Sequence, residues 1–198
     1  MAGTKERILQ TALRLFAASG YEAVSVSDIA GALNVTKGAL YRHYQSKRDI
    51  FDSILARMEQ RDAEQAQAHH LPEGTRQEME TAYEAAGLEE IISFSKAMFR
   101  YWTQDEFASL FRKMLTLEQY RSAEMGGLYQ QYLVSGPLDY LTDLFSAHGL
   151  PQPREKAAAC YGPMFLLYSV YDGAEDRESV TRLLDQCMDD LFRGLCGP

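Results

Sequence analysis

Apolar residues recur at helical spacing almost from the start of the chain. Ile8, Leu9, Ala12, Leu15 and Phe16 form one stripe between Thr4, able to cap a helix, and Gly20, able to end one. A first helix over 4–19 is predicted. The apolar positions then thin out and capping signals crowd together. Ser25 precedes Asp28 by three residues, so each side chain can satisfy the other's backbone amide, and Val24 with Ile29 has the spacing of a hydrophobic staple. Thr36 can cap a second short helix, with Val35 and Leu40 repeating the staple, and Ser46 with Asp49 offers another capping box. Three helix starts within 22 residues leave room only for two brief helices joined by a tight turn at Leu33-Asn34-Val35. Ile29, Ala30, Leu33, Val35, Leu40 and Tyr44 are expected to close this segment onto the first stripe.

The helix begun at Ser46 should continue through Ile50, Phe51, Ile54, Leu55 and Met58 into the polar run 59–69, because no breaker occurs before Pro72. After a loop at 72–74, Thr75 with Glu78 offers a cap, and Gly87 separates helices over 76–86 and 88–102. Ile91, Ile92, Ser95, Met98, Phe99 and Trp102 mark the buried face of the second. Thr103 with Glu106 is read as the start of a helix carrying Phe107, Leu110, Phe111, Met114 and Leu115. Ser122 starts one that bends or breaks at Gly136-Pro137, since proline lacks the amide donor. Helices over about 154–171 and 177–195 end the chain, and no strand alternation persists anywhere. The fold class is all-α, with about nine or ten helices.

Composition narrows the function. With 198 residues, 46% hydrophobic and 24% charged, the chain can bury a substantial core. The most apolar window, 161–171, is too short to span a bilayer, and MAGTKERILQ lacks an apolar signal core, so a cytoplasmic location with no membrane partner is expected. Cys160, Cys187 and Cys196 are odd in number and far apart, which argues against a disulfide framework. His69 and His70, adjacent on a helix, point about 100° apart and cannot readily share a metal. No phosphate-cradling glycine loop, HExxH or GxSxG occurs; the chain is expected to be no enzyme and to need no cofactor or metal. The net charge of −8 hides an asymmetry. Residues 1–50 hold seven Lys/Arg and four Asp/Glu, or +3, whereas the other 148 hold thirteen and twenty-four, or −11. A basic head on an acidic body suits binding to a polyanion through one face.

The pattern IL..A..LF...GY...SV.DIA..L.V.KGALYRHY.SK.DIF over residues 5–55 resembles the DNA-binding domain of the TetR family of bacterial transcriptional regulators. The resemblance implies a three-helix helix-turn-helix domain at 1–48, followed by a helical effector-binding and dimerisation domain at 49–198. Helical geometry and resemblance together nominate Ser27, Thr36, Tyr41, His43 and Lys47 for phosphate contacts, and Lys37, Gly38, Ala39 and Arg42 for base edges. A unit this small calls for a homodimer on a palindromic double-stranded operator. The family dimerises through its last two helices, which here carry Gly162, Met164, Leu167, Leu184, Met188 and Leu191. It also implies a cavity for a small, largely apolar or aromatic effector, for which Met98, Trp102, Phe111, Met114, Tyr129, Tyr132 and Phe165 are the expected lining. The functional expectation is a ligand-responsive repressor. An activator of the same fold stays open, as does a ligand-binding or adaptor protein that no longer reads DNA, although the intact Lys37, Tyr41 and Lys47 count against the latter.

Overall fold

The computed structural model describes residues 3–68 and 87–195. The His69-His70 pair, the loop at 72–74, the Thr75 cap, the helix expected over 76–86 and Cys196 lie outside the described residues. Among the described residues all regular structure is α-helical. The chain forms two compact units, Met1–Ala63 with Glu106–Tyr129, and Glu64–Asp105 with Gln130–Pro198.

The first unit contains α1 (Thr4–Ser19), α2 (Val26–Ala32), α3 (Lys37–Tyr41) and most of α4 (Lys47–Ala68). It also takes in α6 (Glu106–Glu118) and the start of α7 (Ala123–Leu133), so it is larger than the 1–48 segment. α6 packs along α1, burying Phe107, Ala108, Phe111, Met114 and Leu115. α1 buries Ile8, Leu9, Ala12, Leu13 and Phe16; Leu13, one helical turn after Leu9, occupies the core where Leu15 was expected, and Leu15 is half-buried. Each large apolar side chain enclosed in this way contributes about 1.5–3 kcal/mol. Thr4 is no cap: Gly3 holds that position without a side-chain bond, and Thr4 lies inside the helix.

Gly20 ends α1 with φ +86° and ψ 152°, its amide donating to the Phe16 carbonyl at 2.8 Å. A Cβ there would overlap Oε1 of Glu118, a carboxylate 1% exposed on α6. Glycine is thus required by backbone and neighbour alike. Tyr21 then packs between Phe16 and Phe51, with ring centroids 5.1 and 5.0 Å apart.

The second unit contains α5 (Leu88–Gln104), α8 (Ser135–Ala147), α9 (Pro153–Gly173) and α10 (Arg177–Leu195), with the ends of α4 and α7. α9 packs on α5, α8 and α10, and α10 also packs on α5. Phe99 of α5 stacks on Tyr168 of α9 at 5.5 Å, while Lys96 and Arg100 pair with Asp189 and Asp185 of α10 at 2.5 and 2.6 Å. Thr103 does not begin the next helix. Its hydroxyl donates to the Phe99 carbonyl at 2.6 Å, which keeps it in α5, and the break falls at Asp105.

Ser122 does cap α7, accepting from the Met125 amide at 3.1 Å. The helix ends at Leu133, ahead of Gly136-Pro137, where Val134 adopts φ −133° and ψ −88°. Pro137 then sits in the first turn of α8, where an amide has no helical acceptor. A Cβ on Gly136 would overlap the Gln131 carbonyl, so the crossing of α7 into α8 needs glycine there. Burial pushes the Cys160 thiol up to about 11, leaving it an unreactive core residue. Among the described residues, no helix is long and apolar enough to cross a membrane.

Candidate nucleic-acid interface

The candidate site is built from local capping. Asp28 donates its amide to Ser25 Oγ at 3.2 Å and accepts from the Ser25 amide at 2.7 Å, closing the capping box and starting α2. Hydrogen bonds from the Ser25 side chain and backbone hold the Asp28 carboxyl below the usual carboxylate range. Val24 and Ile29 are both buried, as the staple requires. α2 ends at Leu33; Asn34 takes φ +56°, and the Val35 amide donates to the Ala30 carbonyl at 3.0 Å. That left-handed residue reverses the chain within one turn, a conformation asparagine tolerates better than most residues. It also leaves Val35 40% exposed, unlike the buried Val24 of the first staple.

Thr36 caps α3 by accepting from the Ala39 amide at 3.1 Å. α3 stops at Tyr41, shorter than expected, and Arg42 and His43 lie in the following turn. Leu40 and Tyr44 anchor it, fully enclosed in the core. Burial pushes the Tyr44 hydroxyl up to about 12, and it donates to the Lys5 carbonyl at 3.3 Å, tying the end of α3 to the start of α1. Ser46 accepts from the Asp49 amide at 3.0 Å, whereas Asp49 accepts from the Gln45 amide at 2.8 Å rather than that of Ser46.

With Leu40 and Tyr44 inward, Thr36, Lys37, Gly38, Tyr41, Arg42 and His43 are exposed, as is Ser27 on α2, and Ala39 is half-buried. Tyr41 is 49% exposed, a large aromatic with a hydroxyl held outside the core. Lys47 is more constrained. Its ammonium donates to the carbonyls of Tyr21 at 2.9 Å and Glu22 at 3.4 Å and lies 4.2 Å from the Tyr21 ring centroid. It fastens the α1–α2 connection to the start of α4, using two of its three N–H donors. Arg48, read in the sequence only as charge, pairs with Glu124 at 2.6 Å and Asp52 at 2.7 Å. Those hydrogen bonds raise its affinity for the proton and hold the Glu124 carboxyl below its usual range.

The other two residue sets fare differently. Of the expected effector lining, Phe111 and Met114 are fully buried in the first unit, and Tyr129 is half-buried there. Met98, Trp102 and Tyr132 belong to the second unit, the latter two buried and Met98 half-buried. Phe165 lies on the surface of α9, 42% exposed, because Met164, Leu167 and Tyr168 take the inward face of that turn. For dimerisation, Met164, Leu167, Leu184 and Met188 are buried within the second unit itself, Leu191 is half-buried and Gly162 exposed. The apolar side chains left outside are Phe165, Leu166 and Val170 of α9 and Leu183 of α10, at 42, 65, 43 and 46% exposure. In a helix with two buried faces, sequence periodicity does not distinguish the face used within the chain from the face left outside.

Two short capped helices, crossing through a left-handed asparagine and packed on a longer N-terminal helix, define a helix-turn-helix unit. Comparison with known proteins agrees. Residues 8–54 match the family described as "Bacterial regulatory proteins, tetR family". Over 51 residues the chain is 45% identical to the HTH-type transcriptional regulator AcrR of Shigella flexneri, and over 51 residues 38% identical to IcaR of Staphylococcus aureus, the negative transcriptional regulator of the biofilm operon icaADBC. Each match covers 26% of this chain, and it spans only 24% of AcrR and 27% of IcaR.

Solved structures extend the likeness to the whole fold. A transcriptional regulator from Aquifex aeolicus superposes with a TM-score of 0.71 at 16% identity, covering 96% of this chain and 99% of that one. The fatty acid degradation regulator FadR of Bacillus halodurans gives 0.64 at 19% identity, with 98% of both chains covered. Residues 8–54 therefore carry a helix-turn-helix domain of the tetR family of bacterial regulatory proteins, and the chain as a whole shares the fold of these solved regulators.

Proposed function

We propose that this protein is a homodimeric repressor that binds a palindromic DNA operator through α3 and releases it when a small, largely apolar or aromatic effector binds. The observation that carries the reading is the surface of α3 and its flanks. Thr36, Lys37, Tyr41, Arg42 and His43 stand exposed on α3 and its flanks, while Leu40 and Tyr44 lock the segment into the core. Such an arrangement holds donors rigidly for a phosphate backbone and for base edges in the major groove. Lys37, Gly38, Ala39 and Arg42 serve the bases, while Ser27, Thr36, Tyr41, His43 and the remaining donor of Lys47 serve phosphates. The names of the relatives support repression, since IcaR is described as a negative regulator.

The exposed Leu166 and Val170 of α9 and Leu183 of α10 support a second copy as their cover. Leu166 and Val170 are four residues apart and therefore share one face of α9. A dimer would place two readers about one helical turn apart on the operator. For the effector, Met98, Trp102 and Tyr132 of the second unit remain the proposed contacts. α4 passes from one unit to the other at Ala63/Glu64, which makes it the element through which an effector can bias the readers. That bias requires different effector affinities in the two arrangements.

The test is binding to duplexes selected from a random pool by the full-length protein, followed by fluorescence anisotropy at several salt concentrations. Enrichment of a palindrome, with affinity falling steeply as salt rises, is the expected result. Absence of enrichment, or binding insensitive to salt, would remove the DNA-reading assignment. The activator alternative is separated from the repressor by a reporter placed behind the selected site.

A further inference from the structure

The cations of the first unit differ in what they face. Arg14, Arg48 and Arg57 each face a carboxylate: Glu106 at 2.7 Å, Glu124 at 2.6 Å and Glu6 at 2.8 Å. Lys47 is held by carbonyls. Arg7, Lys37 and Arg42 are exposed and, among the described residues, have no acid within ion-pair distance. Lys37 and Arg42 belong to the reading helix and its turn. Arg7 does not: it is on α1, outside the helix-turn-helix.

Arg7 nevertheless shares a site with that turn. Thr4 and Arg7 of α1, with Arg42 and His43, rim a shallow cleft floored in part by Val35 and Ala39. Glu6, the acid next to Arg7 in sequence, is turned to Arg57 and also accepts from Gln10 at 3.3 Å, so it does not neutralise the rim. The cleft therefore combines two unpaired guanidinium groups, a hydroxyl and an imidazole around an apolar floor that includes the exposed Val35. Two arginines beside an apolar ledge match one repeating chemistry in the partner already proposed, the anionic phosphate and the apolar face of deoxyribose.

We propose that this cleft is a DNA-backbone site supplied jointly by α1 and the turn after α3, with Arg7 and Thr4 as additional phosphate ligands. One phosphate sits among Arg7, Arg42, His43 and the Thr4 hydroxyl, and its deoxyribose rests on Val35. The site rests on the DNA-binding reading and extends it. The footprint of each head then reaches beyond the bases met by α3, and α1 adds affinity without sequence preference. Arg42 anchors the backbone here in addition to any base contact.

The experiment uses the full-length protein and the palindromic duplex it selects. Binding of the wild type, Arg7→Ala, Arg7→Lys and Arg42→Ala is measured by anisotropy from low to moderate salt, with phosphate-ethylation interference on the same duplex. Arg7→Ala is expected to lower the magnitude of the salt slope by about 1 while leaving the base preference unchanged. Its affinity deficit should then be about threefold smaller at 200 mM than at 50 mM salt. One interfering phosphate per half-site should also disappear. Arg7→Lys, which keeps the charge, should restore most of the slope.

If Arg7→Ala retains the wild-type slope and interference pattern while Arg42→Ala alters both, the α1 site is wrong and the DNA-reading assignment stands. If the wild type itself shows no salt-dependent duplex binding, both fall together. An unchanged melting temperature for Arg7→Ala separates a binding effect from a folding one.

Discussion

Replacing Gly20 by alanine tests the junction between α1 and the reader most sharply. Gly20 adopts φ +86° and ψ 152°, in a region that residues with a Cβ essentially do not occupy, and forcing alanine there costs about 1–3 kcal/mol. The new methyl would also overlap Oε1 of Glu118, which is 1% exposed and has nowhere solvated to go. Overpacking of this kind adds about 1–3 kcal/mol, for a total of about 2–6 kcal/mol. With an m-value of about 2 kcal/mol/M, the urea midpoint should fall by about 1–3 M. The same change should weaken DNA binding, because the adjacent Tyr21 and Glu22 carbonyls hold Lys47.

Urea melts of the wild type, Gly20→Ala, Glu118→Ala and the double variant separate the two causes. Removing the Glu118 carboxylate relieves the overlap but not the backbone, so the double variant should recover only part of the loss. A Gly20→Ala protein within about 0.5 kcal/mol of wild type would refute the argument outright. Complete rescue by Glu118→Ala would refute its backbone half.

Lys47→Ala should weaken binding to all duplexes alike and also cost about 1–3 kcal/mol of stability, since it removes charged hydrogen bonds and a cation–π contact. Lys37→Ala should leave the melting temperature unchanged and relax preference at particular bases; the same profile from both variants would contradict the division of roles. Burial raises the Asp62 carboxyl to about 7, opposed by the Arg61 charge and reinforced by that of Glu59, and one of its oxygens is buried without a hydrogen-bond partner. The folded state therefore binds the Asp62 proton more tightly than the unfolded chain, whose aspartate titrates near 4. Its contribution to stability should be present at low pH and lost as pH rises through about 4 to 7. Asp62→Asn should flatten that slope in denaturation curves taken across this range, and an unchanged slope would reassign it. Leu166→Glu with Leu183→Glu should shift sedimentation from dimer to monomer while preserving helical content; a persistent dimer would place the interface elsewhere.

Much of the reader was legible in the residues alone because its determinants act over three or four positions. Ser25 with Asp28, Thr36 with Ala39 and Ser46 with Asp49 satisfy backbone amides within one turn, and the structure contains each of these bonds. The all-α class followed equally from periodicity. Local signals were ambiguous where a residue had two local choices: Thr103 bonds back to the Phe99 carbonyl within α5 instead of opening the next helix, and Leu13 takes the inward position expected of Leu15 in α1.

Tertiary structure decided what no short window contains. α6 lies on α1 although the residues of the Arg14–Glu106 pair are 92 positions apart, and 76 separate Arg48 from Glu124. Those long-range pairs determine which cations are neutralised and which, like Arg7, remain available beside α3. The same holds for the last two helices, whose Met164, Leu167, Leu184 and Met188 enter the chain's own core while Leu166 and Leu183 stay outside. Caps and periodicity are properties of neighbours along the chain. The choice between two apolar faces of a helix, or between a paired and an unpaired arginine, belongs to whichever surface arrives from far away in sequence.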